Sequence, residues 1–132
     1  MNEAKRAVAR ECFAAAEQDR MAFPQIVARL GEAGYEGYAV DLRRGTATYH
    51  DAEGESVELA ADEALRPAPR FQAEALRAAI REAQQQVPGY TYRGFCRKAA
   101  AAGCAGYIVS FSGRRVLYYG RDAATHVEHF PD

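Results

Sequence analysis

Gly34-Tyr35-Glu36-Gly37-Tyr38 recurs 69 positions later as Gly103-Cys104-Ala105-Gly106-Tyr107, and the fold is read outward from these two copies. Before each copy the apolar residues recur at helical spacing; after each they alternate. Ile26, Val27 and Leu30 mark a helix that opens at Phe23-Pro24, where proline's missing N–H is harmless, and stops at Gly34. Tyr38, Val40 and Leu42 then alternate with Ala39 and Asp41, the period of a half-buried strand. In the second copy Phe95, Cys96 and Ala99 mark a helix from Thr91 or Tyr92 to Gly103, and residues 107–111 read as a strand. Each copy is therefore read as a structural corner made of Gly34, Gly37 and Tyr38, or of Gly103, Gly106 and Tyr107. Its glycines permit positive φ and close packing, and its tyrosine opens a hairpin.

The flanking sequence repeats in the same order. Ala4, Val8, Cys12 and Ala15 predict a helix over 3–19, and Leu76, Ala79, Ile80 and Ala83 predict one over 71–85. Arg43-Arg44-Gly45 turns the first strand into a second over 46–50, with Ala47 and Tyr49 on one face and Thr46, Thr48 and His50 on the other. A turn at Asp51-Ala52-Glu53-Gly54 leads to a third strand over 56–59. In the second half the turn Ser112-Gly113-Arg114 joins 107–111 to 116–119, and 125–130 supplies the last strand. Residues 61–69, with Pro67 and Pro69, form the linker. Laying 23–51 on 92–120 matches Phe23 with Tyr92, Ile26 with Phe95, Gly34 with Gly103, Gly37 with Gly106, Tyr38 with Tyr107 and Tyr49 with Tyr118. One extra residue in the last loop would then bring Val57-Glu58 onto Val127-Glu128. The expected fold is α+β in two layers, an antiparallel or mixed sheet covered on one face by helices. It is built from a duplicated helix-helix-strand-strand-strand unit with pseudo-two-fold symmetry. One domain over 1–132 is expected, with half-repeats of about 1–60 and 70–132.

Composition narrows the function. A chain of 132 residues with 48% hydrophobic content can bury a core without staples. A net charge of −1 argues against a nucleic-acid partner, whose phosphates need Lys and Arg. Cys12, Cys96 and Cys104 lack metal or disulfide spacing and read as free thiols. No apolar run approaches the ~18 residues of a membrane span, so a cytoplasmic location is expected and a membrane partner is not.

Few residues offer chemistry. A helix C-terminus precedes each Gly-x-x-Gly, and that end carries partial negative charge, which repels phosphate. His126, Glu128, His129 and His50 are the only metal-type cluster, but strand alternation puts His129 opposite His126 and Glu128, and no metal site is expected. Arg43-Arg44 and Arg114-Arg115 sit at corresponding turns, where paired guanidiniums can hold an anion. Tyr118 and Tyr119 must face opposite sides, so one of them leaves the core. No nucleophile motif is present, and neither a catalytic residue nor a cofactor is expected.

Longer motifs carry a family resemblance. The first half has Phe23-Pro24, Gly34-x-x-x-Tyr38, Gly45-x-x-Thr48-Tyr49 and Gly54-Glu55-Ser56-Val57. The second has Ala102-Gly103-Cys104-x-Gly106-Tyr107, Gly113-Arg114-Arg115-Val116, Tyr118-x-Gly120-Arg121-Asp122 and His126-x-Glu128-His129-Phe130-Pro131. Together these resemble the YbcV-like family, small bacterial and prophage-borne proteins of unknown function sometimes labelled phage envelope proteins. Ala123-Ala124 departs from it where a glycine is expected. The resemblance implies no catalytic residue.

Three expectations follow. The first is a non-enzymatic domain that binds a protein partner or forms a homodimer through a sheet edge or exposed tyrosine face. The second is a small-ligand binder or enzyme with a pocket between the halves, using Tyr49, His50, Arg115, Tyr119 and Glu128. The third, from the family label alone, is a phage structural protein.

Overall fold

Asn2 starts the first helix: its side-chain oxygen accepts the Lys5 amide at 2.8 Å, satisfying one of the N–H groups that a helix start leaves free. The computed structural model describes residues 1–131, so Asp132, assigned above to the second half, lies outside the described residues. Helix α1 runs Glu3–Glu17 and turns Val8, Ala9, Cys12 and Ala15 inward. Helix α2, Phe23–Glu32, carries Pro24 in its first turn, and Gln25 reaches back to the Ala22 amide at 2.8 Å. Strands β1 (Tyr35–Asp41), β2 (Thr46–Asp51) and β3 (Ser56–Ala60) complete the first half. The second half repeats the order with α3 (Ala73–Gln85), α4 (Tyr92–Ala101), β4 (Cys104–Ser110), β5 (Arg115–Gly120) and β6 (Thr125–His129). Thr91 caps α4 by accepting the Gly94 amide at 3.0 Å.

The six strands form one antiparallel sheet in the order β3-β2-β1-β4-β5-β6. Strands β1, β2 and β3 reappear as β4, β5 and β6, and α2 as α4, each 69 residues on. The seam between the halves is the β1–β4 pair. There Tyr38 faces Val109, Val40 faces Tyr107, and the equivalent residues Ala39 and Ile108 face each other. The pseudo-two-fold axis therefore passes through the Ala39–Ile108 pair.

Strand alternation sorts the sheet into two faces. Tyr38, Val40, Ala47, Tyr49, Tyr107, Val109, Val116 and Tyr118 are buried in the core with Leu30, Leu76 and Phe95 from the helices. The other face carries Ala39, Thr48, His50, Ile108, Arg115, Leu117, Tyr119 and Val127, of which Ile108 and Val127 are exposed apolar side chains.

Three local expectations are corrected. The strands begin at Tyr35 and Cys104, three residues before the tyrosines expected to open them. Of the four corner glycines only Gly34 and Gly103 take positive φ, at 96° and 88°. Gly37 and Gly106 lie inside the strands, next to register irregularities, where the extra residue breaks the apolar alternation. A Cβ on Gly37 would overlap the Val109 carbonyl, and one on Gly106 the Val40 carbonyl, so both glycines serve the seam. Finally, no residue is inserted in the last loop. Tyr49 pairs with Val57 and Tyr118 with His126, which makes His126 the equivalent of Val57 and Val127 that of Glu58. The expected one-residue shift would have reversed the faces of β6.

The departure at Ala123 has a backbone counterpart. Ala123 is left-handed at φ 67°, and its equivalent in the first half is Gly54 at φ 86°. Residues 61–69 are tied down by backbone hydrogen bonds, Leu65 to Leu42 at 2.8 Å and Ala68 to Ala100 at 2.9 Å. Among the described residues no helix is long and apolar enough to cross a membrane.

Candidate functional site

Four tyrosines floor a cavity on the helix-covered side of the sheet. Tyr38 and Tyr49 are cross-strand partners with ring centroids 5.2 Å apart, and their equivalents Tyr107 and Tyr118 repeat the contact at 5.4 Å. Such pairs contribute about 0.5–1.5 kcal/mol beyond their buried area. The helices leave a space of about 710 Å³ above this floor. Phe13, Ala16 and Glu17 of α1, Phe23 of α2, Ala83 of α3, and Tyr92, Phe95 and Cys96 of α4 border it. At one side Phe23 meets Phe130 edge-on at 5.6 Å, closing first-half residues against the end of the second. A volume of this size is within the range of small-molecule sites.

The hydroxyls of the floor are used unequally. Tyr107 shares a 2.5 Å hydrogen bond with Tyr92. Tyr38, Tyr49 and Tyr118 have no hydroxyl partner among the described residues, and no sealed side-chain oxygen or nitrogen there is left without one. These three hydroxyls therefore open onto the cavity. Burial pushes all four floor phenols upward in pKa, so they stay neutral donors and acceptors at physiological pH. The two thiols that border the cavity are raised as well by burial, Cys12 to about 11 and Cys96 to about 12, which keeps them protonated and poorly nucleophilic.

Charged groups ring the rim. Glu17, at the end of α1, is 12% exposed and lies 3.5 Å from Arg93, which also reaches Asp62 at 3.3 Å. Burial raises the Glu17 carboxyl, partly offset by Arg93. Asp19 accepts the Tyr92 amide at 2.8 Å, so a first-half residue supports the start of α4. On the inner side of β6, His126 and Glu128 hydrogen-bond at 2.6 Å, and the His126 ring stacks on Tyr118.

The five residues named from the sequence do not share one surface. Tyr49 and Glu128 border the cavity. His50, Arg115 and Tyr119 are on the opposite face, Tyr119 resting over Gly106 and Arg115 bonding the Gly113 carbonyl at 2.9 Å. The two arginine turns do not converge either, since β1 and β4 are antiparallel and place them at opposite ends of the sheet. Among the described residues no three His, Cys, Asp or Glu side chains come together as metal ligands.

Sequence reasoning missed Tyr118, Tyr92 and Glu17 as cavity residues. A signal existed for the first, because the matched pairs Tyr38/Tyr107 and Tyr49/Tyr118 all fall on the same face. A family model described as a protein of unknown function, DUF1398, matches residues 13–128. The chain belongs to that family. No curated protein matches it. The DUF1398 segment runs from α1 through Glu128, taking in Glu17, all four floor tyrosines and both halves of the repeat.

Proposed function

We propose that the protein binds a small molecule in the cavity between its two halves. The observation that carries this is the trio Tyr38, Tyr49 and Tyr118, whose rings are buried and whose hydroxyls open, without a partner among the described residues, onto a space of about 710 Å³. Each hydroxyl facing that space can donate to or accept from a bound ligand while the ring beneath it contributes apolar surface. Nile red, a neutral dye that brightens in apolar surroundings, tests the reading. The protein should enhance its fluorescence, and Ala16→Trp, which places an indole in the space, should reduce the enhancement while far-UV circular dichroism stays unchanged. No enhancement with the native chain would reject the reading.

A second reading has its own observation. Ile108, Leu117 and Val127 are cross-strand neighbours on the uncovered face, and Val127 sits in the edge strand β6. Exposed apolar rows beside an open edge favour pairing with another chain, here a second copy. Light scattering at high concentration decides it, since a strictly monomeric protein removes this reading.

We also place the chain with the YbcV-like proteins within its family, on the ending His126-x-Glu128-His129-Phe130-Pro131 and the motif around Gly106-Tyr107. A prophage association and a cytoplasmic location go with that placement; the free thiols Cys12, Cys96 and Cys104 fit a reducing compartment. Residues 1–132 are taken as one folding unit, supported by the sheet that continues through both halves. Fractionated phage particles free of the protein would dispose of the structural-protein alternative.

A further inference from the structure

We propose that the cavity takes an organic cation, an amine or quaternary ammonium on an apolar ring-bearing body. This rests on the reading of the cavity as a ligand site and adds the charge of its occupant.

Three features agree. The cavity is lined by aromatic rings, Tyr38, Tyr49, Tyr107 and Tyr118 below with Tyr92 and Phe95 beside them, and electron-rich rings favour a cation. Tyr38, Tyr49 and Tyr118 are 7%, 4% and 7% exposed, and their unpartnered hydroxyl oxygens can accept from an ammonium N–H. The rim is negative: Glu17, Asp19, Glu63 and Glu128 border the cavity against Arg20 and Arg93. Arg93 is already engaged, with Asp62 at 3.3 Å and Glu17 at 3.5 Å, which leaves Arg20, bonded only to the neutral Gln18 side chain, as the one rim guanidinium without a carboxylate partner among the described residues.

The counter-ion is Glu17. Asp19, Glu63 and Glu128 each accept hydrogen bonds from the protein. Glu17 accepts none among the described residues and has only the 3.5 Å approach of Arg93. It also ends α1, whose last turn contains no basic residue, so the negative end of the helix adds to its field. A cation entering between Glu17 and the tyrosines relieves an under-paired carboxylate, whereas a neutral ring leaves it as it is.

Three dyes of one shape test the charge: 9-aminoacridine, a cation at neutral pH; acridine, which is neutral; and acridine-9-carboxylate, an anion. Fluorescence titration should rank them in that order, with the cation about tenfold or more tighter than acridine, the scale of one desolvated cation–aromatic contact plus a charged hydrogen bond. Glu17→Gln should weaken 9-aminoacridine severalfold and leave acridine unchanged, and Ala16→Trp should weaken both, which separates the cavity from the acidic exterior. Equal affinities, a reversed order, or a Glu17→Gln protein with the native ratio would overturn the cation assignment. If none of the three dyes binds although Nile red does, the cation is rejected and the ligand site stands. If Nile red also fails, both readings fall.

Discussion

Gly37 lies so close to Val109 that any side-chain carbon on it would overlap the Val109 carbonyl oxygen. Gly106 stands in the same relation to Val40, the equivalent residue of the other half. Gly37→Ala should therefore push β1 away from β4 and destabilise the protein by about 1–3 kcal/mol, the usual cost of overpacking. Gly31→Ala, in α2 with open space around it, should instead stabilise by about 0.5–1 kcal/mol through helix propensity. Urea midpoints of the two variants, moving in opposite directions, check the claim.

Ala123 occupies a left-handed conformation for which its counterpart in the first half is a glycine. Ala123→Gly should raise stability by about 0.5–1 kcal/mol, since the strain relieved exceeds the entropy that glycine adds to the unfolded chain. Thermal melting is sufficient to see it. A lower melting temperature would mean that the loop tolerates alanine without strain.

Asp51 is 2% exposed and accepts the amides of Glu55 and Glu53 at 2.8 and 3.0 Å and the Lys5 ammonium at 3.1 Å. Burial works against its charge, but these three donors prevail and hold the carboxyl below the usual range. A depressed carboxyl contributes stability that is complete above its unfolded pKa of about 3.9 and is lost as the pH falls through the folded value. Asp51→Asn should lower the melting temperature at pH 7 and flatten its decline below about pH 4. The pH series of melting temperatures for both proteins is the measurement.

Glu17 has the opposite sign. Its raised carboxyl means that ionisation costs stability, a cost absent below the unfolded pKa of about 4.3 and complete above the folded one. Glu17→Gln should therefore be the more stable protein at pH 7 and should match the native chain near about pH 3. Denaturation midpoints at the two pH values test this independently of any ligand.

Much of the architecture was legible because duplication writes each local signal twice. Phe23-Pro24, Gly34 and the alternation after Tyr38 are short-range features, and each has a partner 69 residues on. Strand starts were harder, since the register irregularity beside Gly37 breaks the period on which the reading depends. The β6 register was misjudged because Val127-Glu128 imitates Val57-Glu58, although pairing with Tyr118 places His126 opposite it. The cavity lay beyond the sequence for another reason. Tyr49 and Glu128 reach it, while His50, Arg115 and Tyr119 do not, and only the packing of two helical pairs over the sheet brings Glu17 to the tyrosines. A volume between helices has no local signature.

The pairing of Ala39 with Ile108 has an evolutionary corollary. Since equivalent residues meet at the axis, the β4 edge that completes β1 can be replaced by the β1 of a second molecule in the same register, Tyr38 opposite Val40. Gly37 would then clear the Val40 carbonyl just as Gly106 does now. A gene fragment encoding residues 1–66 should accordingly yield a symmetric dimer rather than an unfolded peptide, with Ala39 meeting its own copy. The present chain would be the fused descendant of such a pair, free after fusion to let the two sides of its cavity diverge: Glu17 on one, Gln86 in the matching place on the other.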